Sequence, residues 1–367
     1  MTPEQKQVLD MRESGLSRSA ISTALGISER AVKHRLERAR AWLNADPLAR
    51  EAATVAGSEM IPHSLWKKTD THSIYYKFPQ DADAQDNFLE RVVDAFKDIP
   101  AYRPNPIAPR NDGLLTVYPV MDAHFGMRAW GKETGGPDYD LDHAECDLSA
   151  AFDALWEISP KSDTAVLLLG GDTLHADDNE GHTTSRSHTG DVDGRLMKVA
   201  TVAVNSIARI IDGLAERHSK IIVRVLRGNH DGHSHIILSC ALNERYRLSD
   251  AVQVDMSPRD LFYFQHGKVL IASHHGDRSP PQRLAMSIAD ECPFWSETRD
   301  RHILTGHIHH DSVKDFPGVK WWSLRAFCPA DEYGSMFGPR RALQAMTFHD
   351  KKGLILQAIE PILRDGK

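Results

Sequence analysis

The sequence predicts an α/β protein, a two-sheet β-sandwich flanked by helices, with a small all-α domain ahead of it. Three observations carry that expectation. From residue 114 onward, apolar runs of strand length alternate with amphipathic stretches of helical period, the rhythm of an α/β domain. Residues 3–44 show helical spacing throughout. Between them the run AYRPNPIAPRND (101–112) spaces its prolines so as to interrupt both helix and sheet, which puts the boundary of the larger domain near residue 112. Periodicity does not choose between one open sheet and two stacked ones; two is the expectation.

Residues 1–44 read as three helices, with Pro3 at a helix start, Gly15 closing the first, and Ser17 and Ser28 as N-caps of the next two. The stretch SRSAISTALGISERAVKHRLERAR (17–40) sets Ile21, Ala24, Leu25, Ile27, Val32 and Leu36 at helical spacings around Gly26. It resembles the helix-turn-helix of bacterial regulators and sigma-factor-like domains. That resemblance implies a recognition helix presenting Arg30, Lys33, His34, Arg35 and Arg38 to nucleic acid. A charged helical hairpin that merely packs or mediates assembly is the alternative.

Residues 45–113 form an accessory region, with aromatic residues (Trp66, Tyr75, Tyr76, Phe78) and a helix expected at 85–98. Residues 114–363 form the main domain. Its strand-like runs are LLTVYPVMD, TAVLLLGGD, KIIVRVLRGNHD, KVLIASHHGD and RHILTGHIHH, and the helical stretches 141–158 and 196–217 lie between the first three. Each run ends in polar, ligand-type residues, as strands do when their C-terminal ends feed one active site.

The whole chain carries a net charge of −7, which argues against a protein that coats nucleic acid through bulk basicity. The charge is uneven. Residues 1–50 hold nine Lys or Arg against six Asp or Glu, a net +3 that leaves −10 for the remainder. The four cysteines, Cys146, Cys240, Cys292 and Cys328, are widely spaced and make neither a disulfide framework nor a Cys-based zinc motif. No apolar h-region opens the sequence and no apolar run approaches a membrane span, so no membrane association and a cytoplasmic location are expected. The 20 histidines, many beside Gly, Asp or Asn, point to metal chemistry.

Five strand ends carry Asp122-Ala-His124, Gly171-Asp172, Gly228-Asn229-His230-Asp231, His274-His275-Gly276-Asp277 and Gly306-His307-Ile308-His309. Singly, each reads most simply as hydrogen-bonded structure. In this order the set resembles the calcineurin-like metallophosphoesterase superfamily. The resemblance implies two divalent cations, one held by Asp122, His124, Asp172 and His309 and the other by Asp172, Asn229, His275 and His307, with Asp172 as bridge. His275 is preferred to His274 because the family's ligand directly precedes glycine. His230, oriented by Asp231, is the implied general acid or transition-state stabiliser, and the implied reaction is in-line attack on phosphorus by hydroxide held between the metals. Imidazole, carboxylate and amide oxygen together suit Mn, Fe, Zn, Ni or Co, with Mn favoured. A shared carboxylate holds two such ions about 3.5–4 Å apart, the spacing that clamps both oxygens of a phosphoryl transfer.

Around these motifs, the polar loop 174–195 is either a substrate-recognition segment using His175, Arg186 or Arg195, or a solvated loop. Arg227 and Arg278 are either phosphate clamps or ion-pair partners. The stretch WWSLRAFCPADEYGSMFGPRRALQAMTF resembles segments of phage and prophage proteins; its Trp321 and Trp322 read as buried core in preference to base-stacking platforms. GNHD is the form common among the family's phosphodiesterases and nucleases, which tilts the expectation toward a phosphodiesterase, nuclease or phosphatase acting on nucleic acid. The competing expectations are a hydrolase of small or cyclic nucleotides, and a DNA-binding regulator with incidental catalysis. Oligomeric state is not legible.

Overall fold

The computed structural model describes residues 2–44, 50, 64–68, 73–77, 107–108, 113–185, 189–330 and 340–363. The helix expected at 85–98, Phe78, Arg186 and most of the proline-rich run lie outside them, as do the side chains of Trp66, Tyr75 and Tyr76. The chain divides into two compact units, Met1–Glu90 and Arg91–Lys367.

In the first unit, α1 (Pro3–Glu13), α2 (Arg18–Leu25) and α3 (Glu29–Asn44) precede an antiparallel pair, β1 (Ser64–Lys68) and β2 (Ser73–Lys77). The helix ends are written locally. Thr2 and Gln5 form a capping box around Pro3. The Ser17 and Ser28 hydroxyls accept the backbone N–H groups of Ala20 and Ala31 at 3.1 and 3.2 Å, and Gly26, at φ 64°, closes α2 in the left-handed region where a Cβ is costly. Val8, Leu9, Ile21, Val32, Leu36 and Ala39 make the core, with Leu25 and Ile27 at its edge. Ala24, expected in that core, is exposed. The short α2 meets its neighbours along the Ile21–Leu25 line, and Ala24 falls to one side of it.

The second unit runs β3 (Leu114–Val120), α4 (Gly131–Thr134), α5 (Leu141–Ile158), β4 (Thr164–Leu169), α6 (Leu196–Ala215), β5 (Lys220–Val225), α7 (His235–Tyr246), β6 (Val252–Asp255), β7 (Phe262–His266), β8 (Val269–Ser273), α8 (Pro281–Glu291), β9 (Asp300–Thr305), β10 (Ser312–Phe316), β11 (Val319–Ser323), β12 (Ala342–His349) and β13 (Gly353–Pro361). Two sheets result, a six-stranded one ordered β13-β12-β3-β4-β5-β6 and a five-stranded one ordered β10-β11-β9-β8-β7. β3 to β6 are mutually parallel, as are β8, β9 and β11.

Strand alternation assigns the faces. Leu115 and Val117 of β3, Val166 and Leu168 of β4, Ile271 of β8 and Leu304 of β9 fill the space between the sheets. Tyr118, Leu167 and Val223 point the other way and are covered by α5, α6 and α7 through Leu148, Phe152, Ile207, Ile211 and Leu238. Leu270, Ile303 and Trp321 on the outer face of the smaller sheet pack against Leu284 and Ile288 of α8. Both faces of each central strand are therefore apolar, and burying each such side chain contributes about 1.5–3 kcal/mol. Polar residues are pushed to the strand ends, and the C-terminal ends of β3, β4, β5, β8 and β9 converge at one edge of the sandwich.

Candidate metal centre

Every non-glycine residue with positive φ among the described residues belongs to this edge: Asp122 (51°), His124 (47°), Asp172 (48°), His307 (71°) and His309 (57°). All five are sequence-expected ligands. Left-handed backbone costs an L-residue about 1–2 kcal/mol, and such strain concentrates where the surrounding structure must aim a side chain. The glycines of the motifs serve the same packing. A Cβ on Gly228 would collide with the Asp172 carboxylate, and one on Gly306 with that of Asp122.

The side chains meet in two groups that share one carboxylate. Donor atoms of Asp122, His124 and Asp172 lie within 4.8 Å of one another, and so do those of Asp172, His275 and His307. Asp172 Oδ2 is 3.1 Å from His275 Nε2 and 3.9 Å from His124 Nε2. Asn229 Oδ1 is 3.1 Å from His275 Nε2, and His309 Nε2 is 3.5 Å from Asp122 Oδ1. All seven expected ligands are thus brought together. Between the neighbouring histidines, His275 enters the cluster: its Nδ1 faces the Gly170 carbonyl at 3.0 Å, which leaves Nε2 toward Asp172. His274 instead accepts the Gly276 N–H on Nδ1.

The electrostatics describe a pocket short of positive charge. Burial opposes protonation of His275, yet the adjoining Asp172 carboxylate outweighs it and pushes the imidazole up to about 10. His309 is raised in the same way, burial being overcome by Asp122. His124, wholly enclosed and beside His230, is driven well below the ordinary histidine value by burial. Its Nε2 is buried without a hydrogen-bond partner. Two buried carboxylates, imidazole nitrogens turned inward and one orphaned lone-pair position fit divalent cations.

His230 and Asp231 stand differently from the expectation. Asp231 does not orient the His230 ring: its carboxylate accepts backbone N–H groups from Asp172 (3.3 Å), Thr173 (2.8 Å), Leu174 (3.1 Å) and Gly228 (2.7 Å), tying the loops after β4 and β5 together. The His230 ring is set by the His175 carbonyl, 2.9 Å from Nδ1, while the His230 N–H donates to Asp172 Oδ1 at 2.7 Å. Asp231 is fully enclosed, and burial together with the nearby Asp172 carboxylate raises it to about 7.

Among its described residues, loop 174–195 is tied to neighbouring segments, and His175 faces the interior. His175 is buried, and its Nδ1 lies 3.0 Å from Nδ1 of His124, behind the ligand cluster. Asp177 accepts N–H groups from His233 and Ser234, and Thr184 bridges Asp177 and the Gly232 N–H, so the loop scaffolds the segment after Asn229. Arg195 is exposed at the start of α6. Arg227 pairs with Asp277 at 3.5 Å and Arg278 with Asp260 at 2.6 Å, the structural of their two roles. Trp321 and Trp322 are buried, the latter donating to His302 Nδ1 at 3.0 Å. Sequence reasoning missed the place of His175 behind His124; its position three residues past Asp172 was the available signal.

In the first unit, Arg30, Lys33, His34 and Arg38 are exposed on α3, whereas Arg35 is half-buried. His34, Arg35 and Arg38 line a cleft of about 390 Å³ with Thr2, Glu4 and Gln5. Lys33 and His34 share Glu37 at 3.7 and 3.6 Å, so the basic face is interrupted by an acid.

Residues 1–43 match the family model of sigma-70 region 4. No curated protein matches the chain. Among solved structures it is similar to a conserved protein from Streptococcus pneumoniae TIGR4 described as a predicted phosphoesterase, with 11% identity over 68% of this chain and 98% of that one and a TM-score of 0.29. An archaeal phosphodiesterase is similar at 12% identity over 66% and 99%, TM-score 0.35. Vacuolar Protein Sorting 29 from Cryptosporidium parvum follows at 12% over 70% and 95%, TM-score 0.36. At such values these likenesses carry no conclusion about chemistry. No helix among the described residues is long and apolar enough to cross a membrane.

Proposed function

We propose that the chain is a metal-dependent phosphoesterase of the calcineurin-like type, of phage or prophage kind and cytoplasmic, cleaving phosphodiester bonds in nucleic acid. The observation that carries this reading is the pair of donor clusters sharing Asp172, with four of their five residues, and the adjoining His309, held in left-handed backbone. Asp122, His124, Asp172 and His309 would hold one cation, and Asp172, Asn229, His275 and His307 the other. Bound there, two dications supply Lewis acidity toward a phosphoryl oxygen and bring water ionisation toward neutral pH.

The protein's own groups do the rest. The His175 carbonyl accepts a hydrogen bond from His230 Nδ1–H, which leaves Nε2 for the substrate; from the imidazolium form of His230, Nε2–H would give its proton to the leaving oxygen and the ring would be left neutral. Asp231 holds the loops after β4 and β5 in register, which keeps His230 and Asp172 at a fixed separation. The Gly170 carbonyl and His175 Nδ1 orient His275 and His124 from behind.

The nucleic-acid half of the proposal rests on residues 1–44, the match to sigma-70 region 4 and the cations of α3, Arg30, Lys33, Arg35 and Arg38. A panel of labelled single- and double-stranded DNA, RNA, mononucleotides, bis(p-nitrophenyl) phosphate and p-nitrophenyl phosphate tests it, run with Mn²⁺, after EDTA and after readdition. Polymer cleavage that EDTA abolishes and Mn²⁺ restores is expected. Activity that survives chelation overturns the metal centre, and turnover of mononucleotides without cleavage of polymer overturns the substrate.

A further inference from the structure

The cluster around His124 contains a donor outside the seven ligands. Cys328 Sγ, a ring nitrogen of His124 and one of His309 lie within 4.8 Å of one another, and Cys328 is 1% exposed. Its place is built by the backbone. After β11 the chain runs along the ends of the two strands that supply Asp122, His124, His307 and His309: the Leu324 N–H donates to the Thr305 carbonyl (2.9 Å), Phe327 to Met121 (2.8 Å) and Cys328 to Asp122 (3.1 Å). Arg341 clamps this strap from behind, donating from Nε to the Phe327 carbonyl at 2.7 Å while pairing with the buried Asp147 at 2.7 Å.

A second observation points to a ligand at the same place. His124 is 3% exposed, its Nδ1 is engaged with His175 Nδ1, and its Nε2 is buried with no hydrogen-bond partner. An imidazole nitrogen enclosed in this way, beside a carboxylate, a second imidazole and a thiol, is a donor awaiting an acceptor of electron pairs.

Resting on the metal centre proposed above, we infer that Cys328 Sγ is a thiolate ligand of the cation held by Asp122, His124 and His309. As the metal–sulfur bond forms, the S–H proton leaves to solvent and no oxidant or reductant is needed. The consequence is selectivity. With the shared Asp172, a set of one sulfur, two imidazoles and two carboxylates suits zinc, cobalt(II) or iron(II), whereas manganese and magnesium prefer all-oxygen surroundings. The other position, with Asp172, Asn229, His275 and His307, has no thiol among its described donors, so the two positions differ in the metal they favour. Cys146, Cys240 and Cys292 belong to none of the donor groups.

The test uses the full chain stripped of metal and reloaded with cobalt(II), as wild type, Cys328→Ser, Cys328→Ala and, as control, Cys292→Ser. Wild type and the control should bind two cobalt ions and show a near-ultraviolet sulfur-to-cobalt charge-transfer band that both Cys328 variants lack. In the zinc-loaded wild type, X-ray absorption should show a sulfur shell at about 2.3 Å beside the nearer nitrogen and oxygen shell. Cys328→Ser should weaken zinc at one of the two positions by at least roughly 10-fold and manganese by much less. Two cobalt ions bound without the band, or a band that survives Cys328→Ser, overturns the thiolate and leaves the metal centre standing. No cobalt bound overturns both. The wild-type spectrum and sulfur shell decide even if the variants misfold.

Discussion

The three-helix segment at residues 2–44 and the edge of the sandwich that carries the candidate ligands are assembled by opposite rules. In the first, the helix caps act on near neighbours, Thr2 through Gln5, Ser17 through Ala20 and Ser28 through Ala31, each three residues away, and the core that joins the helices spans only Val8 to Ala39. In the second, Asp122 accepts the N–H of His307 from 185 residues further on, and Asp172 accepts that of His230 from 58. Local wiring makes an element that tolerates being altered piecemeal. Distant wiring makes a site whose members stand or fall together, because each ligand is held in place by the loop of another.

The sharpest way to break this comparison is Asp172→Asn. It removes the carboxylate both donor groups share, so kcat on a small chromogenic diester should fall roughly 10³-fold or more, by the several kcal/mol such electrostatic contacts supply at 1.36 kcal/mol per decade. Metal analysis should find both positions depleted. Retention of two ions with near-normal turnover would show that the groups are independent, as the helical segment is.

His230→Ala probes the same edge without touching a ligand. Turnover should drop by about 10²- to 10⁴-fold while metal content stays at the wild-type value. Simultaneous loss of metal would reassign His230 to the ligand set.

On the other side of the comparison, neutralising Lys33, Arg35 and Arg38 together should weaken DNA binding and flatten the dependence of log affinity on log salt by about 0.9 for each phosphate no longer neutralised. Diester turnover should hardly change. Since Arg35 is half-buried beside Glu4, most of the effect should come from Lys33 and Arg38, and the single variants will separate them. Binding and slope both unchanged would make this segment an assembly element.

Ser28→Ala is the mildest test. Loss of one N-cap costs about 1 kcal/mol, read as a lower melting point of the helical segment with hydrolysis of the small diester untouched. A matching loss of turnover would mean that the two regions are coupled.

What the sequence determined by itself is whatever has a local cause. The caps at Ser17 and Ser28, the turn at Gly26, and the strands ending at Asp122, Asp172, Asn229, His275 and His307 could be read from spacing, because strand and helix periods are properties of short windows. The seven residues that meet at this edge were legible through motif order. Only the tertiary structure decided that β7 to β11 form a second sheet facing the first, since both present the same apolar runs whichever way they stack. It likewise decided that Asp231 binds backbone and not His230, that Arg227 and Arg278 are neutralised by Asp277 and Asp260, and that His175 and Cys328 stand against His124. Those facts depend on which of several available polar partners come into contact after the sheets have packed, and apart from Gly228 beside Asp231 no short window of sequence contains both partners.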